Sequence, residues 1–170
     1  MPIIVDAFGG DKAPLEILRG CQQAVEELGV EILLTGKETE IIRCAAANNI
    51  SLASMQILDA PDIMSMTDNP MDILKAKGNT SLAVGLKALA AGQGSAFVSA
   101  GSTGAIVIGA TFIVKRIPGI KRAAIASILP TNAGPSMLID MGANVDCTAE
   151  HLNRFAVMGD IYMKKIMDFP

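Results

Sequence analysis

Short apolar runs alternate with longer amphipathic stretches along most of the chain. Pro2 to Ala7 (PIIVDA) is an apolar run that ends in a Gly-rich turn, and Pro14 then opens an amphipathic stretch from Leu15 to Leu28 closed by Gly29. This order predicts a strand followed by a helix. The alternation repeats, with Val30 to Thr35 as strand, Lys37 to Asn48 as helix and Met55 to Leu58 as a third strand. Repeated strand and helix units imply an α/β fold, a mostly parallel sheet with helices on both faces.

Ala60 to Pro70 (APDIMSMTDNP) has two prolines and no clean period, which predicts a loop of functional length. A short helix from Met71 and a longer one from Ser81 to Ala91, stopped by Gly92, follow it. Ala96 to Ser99 reads as a buried strand feeding the turn AGSTGA. The apolar stretch from Ala105 to Val114 is a helix too hydrophobic to be exposed on any face, so it belongs in the core or at a dimer interface. Ala124 to Leu129 and Ser136 to Met141 are strands joined by a connection too short for a parallel crossover, and should pair antiparallel. A last helix runs from about Ala149 to Met167. With no internal repeat and no low-complexity linker, residues 1–170 read as a single α/β domain.

The chain has 170 residues, is 51% hydrophobic and 18% charged, and carries a formal charge of −3. That is enough to bury one substantial core. Its mean hydropathy of +0.43 is high, yet the longest apolar run, Gly104 to Val114, is closed by Lys115 and Arg116 and is too short to cross a bilayer. The start, MPIIVDAFGGD, lacks a basic segment and meets Asp6 early, unlike a secretory signal, so a cytoplasmic location is expected. Cys21, Cys44 and Cys147 are widely spaced and read as reduced thiols. The mild acidity argues against a nucleic-acid binder, which needs a basic stripe.

Three Gly turns at strand ends are the candidate chemistry. In Asp6-Ala7-Phe8-Gly9-Gly10-Asp11, two carboxylates flank a Gly pair that lets backbone N–H groups approach a ligand; a plain turn with Asp11 near a helix start reads equally well. In Ser99-Ala100-Gly101-Ser102-Thr103-Gly104, glycines and hydroxyls at a helix start suit an oxyanion, although tight packing explains such a turn as often. It lacks the Lys of a P-loop. The third, Asp140 to Asp146, places two carboxylates and Asn144 across a Gly turn, where capping the next helix is the more frequent use and metal binding the rarer one.

Cys147, near the start of the last helix, reads more readily as structural than as a nucleophile, because His151 on that same helix is the only histidine. His151 itself reads as a surface or boundary residue. Lys115, Arg116, Lys121 and Arg122 form a basic run that favourable helix-dipole contacts explain in part; its functional reading is a dock for an acidic partner. A nucleotide-binding module would need an acidic residue after the second strand, and Glu38 and Glu40 are weak candidates for it.

Taken together, VDAFGGDKAP, DNPMDILKAK, FVSAGSTGA, KRIPGIKRAAIASILPT and IDMGANVDCTAEHLNRFAVMG resemble, in order and spacing, the PlsX phosphate acyltransferase family from Ile4 to about Gly159. The resemblance covers the amino-terminal half of a chain about twice as long. It implies an isopropylmalate-dehydrogenase-like architecture shared with phosphotransacetylases, and a homodimer. It also implies the reaction: inorganic phosphate attacks the thioester of a long-chain acyl-acyl carrier protein, giving acyl phosphate and free carrier protein, with no cofactor and no metal. Peripheral membrane association belongs to the half beyond this chain.

On that basis Asp6, Thr103 and Asn144 are the expected catalytic residues. Gly9, Gly10, Asp11, Gly101, Ser102, Thr103 and Gly104 are the expected phosphate-binding ones, with Gly9-Gly10 and Asn144 shaping the same cleft. Lys115, Arg116, Lys121 and Arg122 are the expected contacts for the acidic carrier protein. The chain departs from the family in having Ser102 where Asn is common, Lys75 where Arg is common, and Lys77-Gly78-Asn79-Thr80-Ser81 in place of a Lys-Lys-Asp-Ser-Ser run. Lys75 lacks the planar fork that grips phosphate bidentately, which implies a rearranged anion site. A phosphotransacetylase-like enzyme using coenzyme A, and a half that binds phosphate or carrier protein without turnover, are the alternatives.

Overall fold

A computed structural model describes residues 1–169. They form two compact units, Met1–Lys115 and the residues from Arg116 onward, where the pattern of the sequence marks no boundary.

The first unit is a parallel sheet of β1 (Ile3–Asp6), β2 (Ile32–Gly36), β3 (Met55–Asp59) and β4 (Ala96–Val98), in the order β3-β2-β1-β4. The β1 register sets Ile3 opposite Ile32 on one side and Ala96 on the other. Alternate residues serve opposite faces. Val5, Ile32 and Leu34 pack under α1 (Leu15–Leu28) and α2 (Glu38–Ala47), through Leu18, Cys21 and Ile41. Ile4, Leu33 and Phe97 pack on the other face against Ala88 and Leu89 of α3 (Ser81–Ala90). Gly85 on α3 is held so close to the sheet that a Cβ there would overlap the Phe97 ring.

Behind α3 lies a second apolar layer, formed by Met64, Ile73, Leu82, Leu86 and Ala105. It joins the loop after β3 and the 3-10 turn Pro70–Leu74 to α4 (Thr103–Gly109), which runs on as a π-helical segment, Ala110–Lys115. This is the expected apolar helix, but one face is not covered: Ala105 and Gly109 are buried while Phe112 is 54% exposed. β4 also departs from expectation, being an edge strand with Val98 53% exposed rather than a buried one.

In the second unit, β5 (Ala126–Thr131) and β6 (Gly134–Ile139) pair antiparallel as expected, with Ile128 opposite Met137. α5 (Ala149–Lys165) lies on the hairpin, with Phe155 buried and Gly159 beside the Met137 sulfur. Thr148 and His151 close a reciprocal cap, each accepting the other's backbone N–H. No helix among the described residues is long and apolar enough to cross a membrane.

Candidate active site

The carboxyl ends of β1 and β4 lie side by side, and their side chains knit the two Gly turns together. Asp6 is 2% exposed. Its Oδ1 accepts the Phe8 backbone N–H at 3.2 Å, and its Oδ2 accepts the Ser99 hydroxyl at 2.7 Å. Ser99 Oγ in turn accepts the Gly101 N–H at 3.0 Å. The carboxylate therefore holds its own turn through Phe8 and its neighbour's turn through Ser99. Gly9 fits between them only because it has no side chain: a Cβ would lie 2.7 Å from both Asp6 Oδ2 and Ser99 Oγ, and 2.9 Å from the Gly101 nitrogen. Gly10 adopts φ +108° against Ala100, a conformation that favours glycine.

Ser102 is 5% exposed and caps α4 by accepting the Ala105 N–H. Thr103 and Gly104 begin that helix and are exposed, whereas Asp11 is exposed on its own turn. Gly104 sits close to Pro70, where a Cβ would lie 2.9 Å from the ring, so the α4 start abuts the loop after β3. In that loop Lys77 bonds Asp68 at 3.1 Å and reaches the Ile63 carbonyl at 3.4 Å. The Ser65 backbone N–H, and then Lys77, hold the Asp68 carboxyl below the usual carboxylate range. Lys75 is exposed after the 3-10 turn.

The structure thus brings Asp6, Gly9, Gly10 and Gly101 together, and adds Ser99, which in the sequence is marked only as the junction of a strand and a turn. A hydroxyl residue at the end of a strand, one residue ahead of the Ala-Gly step, is the signal that marks it.

In the second unit, Asp140 follows β6 with φ +65°. Its Oδ1 accepts from Asn144 Nδ2 at 2.9 Å, and that same nitrogen donates to the Ala123 carbonyl at 2.9 Å. The Asn144 amide therefore braces its own loop. Cys147 Sγ lies 3.2 Å from Asp140 Oδ2. This hydrogen bond, more than any other influence, pushes the thiol above its ordinary pKa. An adjacent carboxylate is the reverse of what activates a thiolate, and His151 is engaged in the α5 cap. Asp140→Ala is expected to speed alkylation of Cys147 at neutral pH and to move the rate's pH midpoint downward; an unchanged profile by mass spectrometry would contradict this account.

The basic run divides. Lys115 ends the π-helical segment of the first unit. In the second unit Arg116 donates to the Lys121 carbonyl at 2.8 Å, Lys121 bonds Glu150 at 3.0 Å, and Arg122 is exposed. Arg154 shares Glu150 at 3.1 Å.

Comparison with known proteins matches the chain to a family over its whole length. The family described as fatty acid synthesis protein matches residues 1–170. A phosphate acyltransferase of Desulforamulus reducens is 42% identical over 99% of this chain and 50% of its own. One of Halothermothrix orenii is 39% identical over 98% and 50% respectively. The chain spans about half the length of these relatives. Among solved structures, the EutD phosphotransacetylase of Staphylococcus aureus superposes with a TM-score of 0.63 over 92% of this chain and 51% of its own, at 22% identity, a likeness of fold. The chain belongs to the fatty acid synthesis protein family, as its resemblance to the phosphate acyltransferases implies.

Proposed function

We propose that the protein is the amino-terminal half of a cytoplasmic phosphate acyltransferase of isopropylmalate-dehydrogenase-like architecture, working as a homodimer. Inorganic phosphate attacks the thioester carbonyl of a long-chain acyl-acyl carrier protein; the C–S bond breaks, and acyl phosphate and the carrier-protein thiolate leave. The observation that carries this reading is the match of the whole chain to relatives named phosphate acyltransferase. Within it, the two Gly turns tied through Asp6 and Ser99 stand where open α/β sheets bind ligands.

The chemistry demands little acid catalysis, because a thiol with a pKa of about 8.5 leaves readily as thiolate. It demands a positioned phosphate and donors for the oxyanion. Thr103 and Gly104, exposed at the start of α4, are assigned to phosphate or the oxyanion. Asp6 is assigned to positioning, since both its oxygens are engaged in holding the turns. Asn144 shapes its loop from within. Arg122 and Lys115 are the more available contacts for the acidic carrier protein, because Lys121 is committed to Glu150.

Joined to the second half of the Desulforamulus reducens relative, the chain is expected to form acyl phosphate from acyl-acyl carrier protein in preference to acyl-coenzyme A. Thr103→Val is expected to slow this by roughly 10- to 100-fold, and Asn144→Ala to slow it less. Full rates in both variants would sink the assignment. Turnover by the 170-residue chain alone would show that the half suffices.

A further inference from the structure

Residues 116–123 of the second unit form neither helix nor strand, yet alternate carbonyls along them are each taken by a side chain. Arg154 Nη1 donates to the Gly119 carbonyl at 2.8 Å, Arg116 Nη1 to that of Lys121 at 2.8 Å, and Asn144 Nδ2 to that of Ala123 at 2.9 Å. The carbonyls of a surface loop can be left to water, so polar side chains used as braces give this one a fixed course. Glu150 completes the frame from the first turn of α5. Its Oε2 accepts from Lys121 Nζ at 3.0 Å, and its Oε1 accepts from Arg154 Nε and Nη2 at 3.3 and 3.1 Å. Lys121, and then Arg154, hold the Glu150 carboxyl below the usual carboxylate range. Arg122 takes part in none of these bonds and is exposed, as are Ile117 and Pro118 in the turn that the Ile120 N–H closes on the Ile117 carbonyl at 3.0 Å.

We infer that Glu150 is a positioning residue for the acidic carrier protein: through Lys121 and Arg154 it holds the loop in the course that presents Arg122, with the apolar turn beside it, to that partner. The inference rests on the reading of the basic run as the carrier-protein dock. It is opposite in sign to what charge alone gives. A carboxylate facing an acidic partner repels it, so its removal should tighten binding. If Glu150 frames the loop, its removal loosens binding instead.

The test is binding of a long-chain acyl-acyl carrier protein to this chain, titrated by fluorescence anisotropy at several salt concentrations. Glu150→Gln is expected to weaken binding by roughly 3- to 10-fold and to flatten its salt dependence, because fewer cations then reach the partner. Asp160→Asn, which removes a negative charge farther along the same helix, is expected to leave binding unchanged or tighter. Arg154→Lys keeps the charge but loses the fork that spans Glu150 and Gly119, and it too is expected to weaken binding. With Arg122→Glu clearly weaker than the wild type, binding by Glu150→Gln as tight as the wild type would overturn the positioning role alone. So would weakening of the same size in Asp160→Asn, or a loss of affinity that keeps the wild-type salt slope, which marks support of the fold only. Should Glu150→Gln not fold, wild-type affinity in Arg154→Lys overturns it. If Arg122→Glu bound like the wild type, or the wild type bound no carrier protein, the dock itself would fall, and this inference with it.

Discussion

Replacing Gly9 with alanine is expected to destabilise the first unit by about 3–5 kcal/mol, combining overpacking with the loss of buried hydrogen bonds. The new Cβ would stand within 3 Å of Asp6 Oδ2, Ser99 Oγ and the Gly101 nitrogen. Those three atoms are bonded to one another in series, so moving one breaks its link with the next. None is the free end of a flexible chain. The expected fall in melting temperature is roughly 10–20 °C, read by circular dichroism. Gly20→Ala, whose Cβ meets nothing within 4 Å, should leave the melting temperature unchanged or slightly raised. If Gly9→Ala melted like Gly20→Ala, the linked turns beyond β1 and β4 would not contribute to stability as described.

The second large effect lies at alkaline pH. Cys21 is 5% exposed in the core under α1, and burial pushes its thiol up to about 11. An unfolded chain gives up that proton near about 8.5. Between these values the unfolded state binds fewer protons than the native one, so stability falls as pH rises through the window and the loss is complete near the folded value. The expected loss is roughly 3–3.5 kcal/mol. Urea unfolding of the wild type and Cys21→Ala at several pH values isolates it, because lysine and tyrosine titrate in both proteins. Parallel curves would mean that Cys21 keeps an ordinary thiol pKa in the fold.

Much of the fold was legible because its signals are local. Pro14 and Gly29 bracket α1, and the structure starts and stops that helix at Leu15 and Leu28 as the pattern predicts. The short link between β5 and β6 dictated their antiparallel pairing. What stayed hidden depends on sheet order. β4 is as apolar in sequence as a central strand, yet it lies at an edge, and no periodicity within Ala96 to Val98 reports which neighbours it has. The apolar stretch from Ala105 likewise reads as core or dimer interface, and nothing in its composition reports that Phe112 is a side chain left exposed in the single chain.

The site was legible by type and not by partnership. Gly9, Gly10 and Gly101 were recognisable as turn glycines, but the bond from Ser99 to Asp6 joins residues 93 apart. Side-chain commitments were equally invisible: Lys121 is occupied by Glu150, and Asn144 by Asp140 and Ala123. A charge or an amide in a motif announces what it can bond, while only the folded chain decides what it does bond.

The same Asp6–Ser99 bond sets an order of events during synthesis. β1 leaves the ribosome first and can take β2 as its neighbour after one helix has been made, but its other neighbour follows 93 residues behind. At about 5–20 residues per second, the Asp6 carboxylate waits on the order of 5–20 s for the hydroxyl that will cover it. During that interval the nascent sheet is open along β1, so of the two interior strands of the finished unit β1 is the last to be closed on both sides.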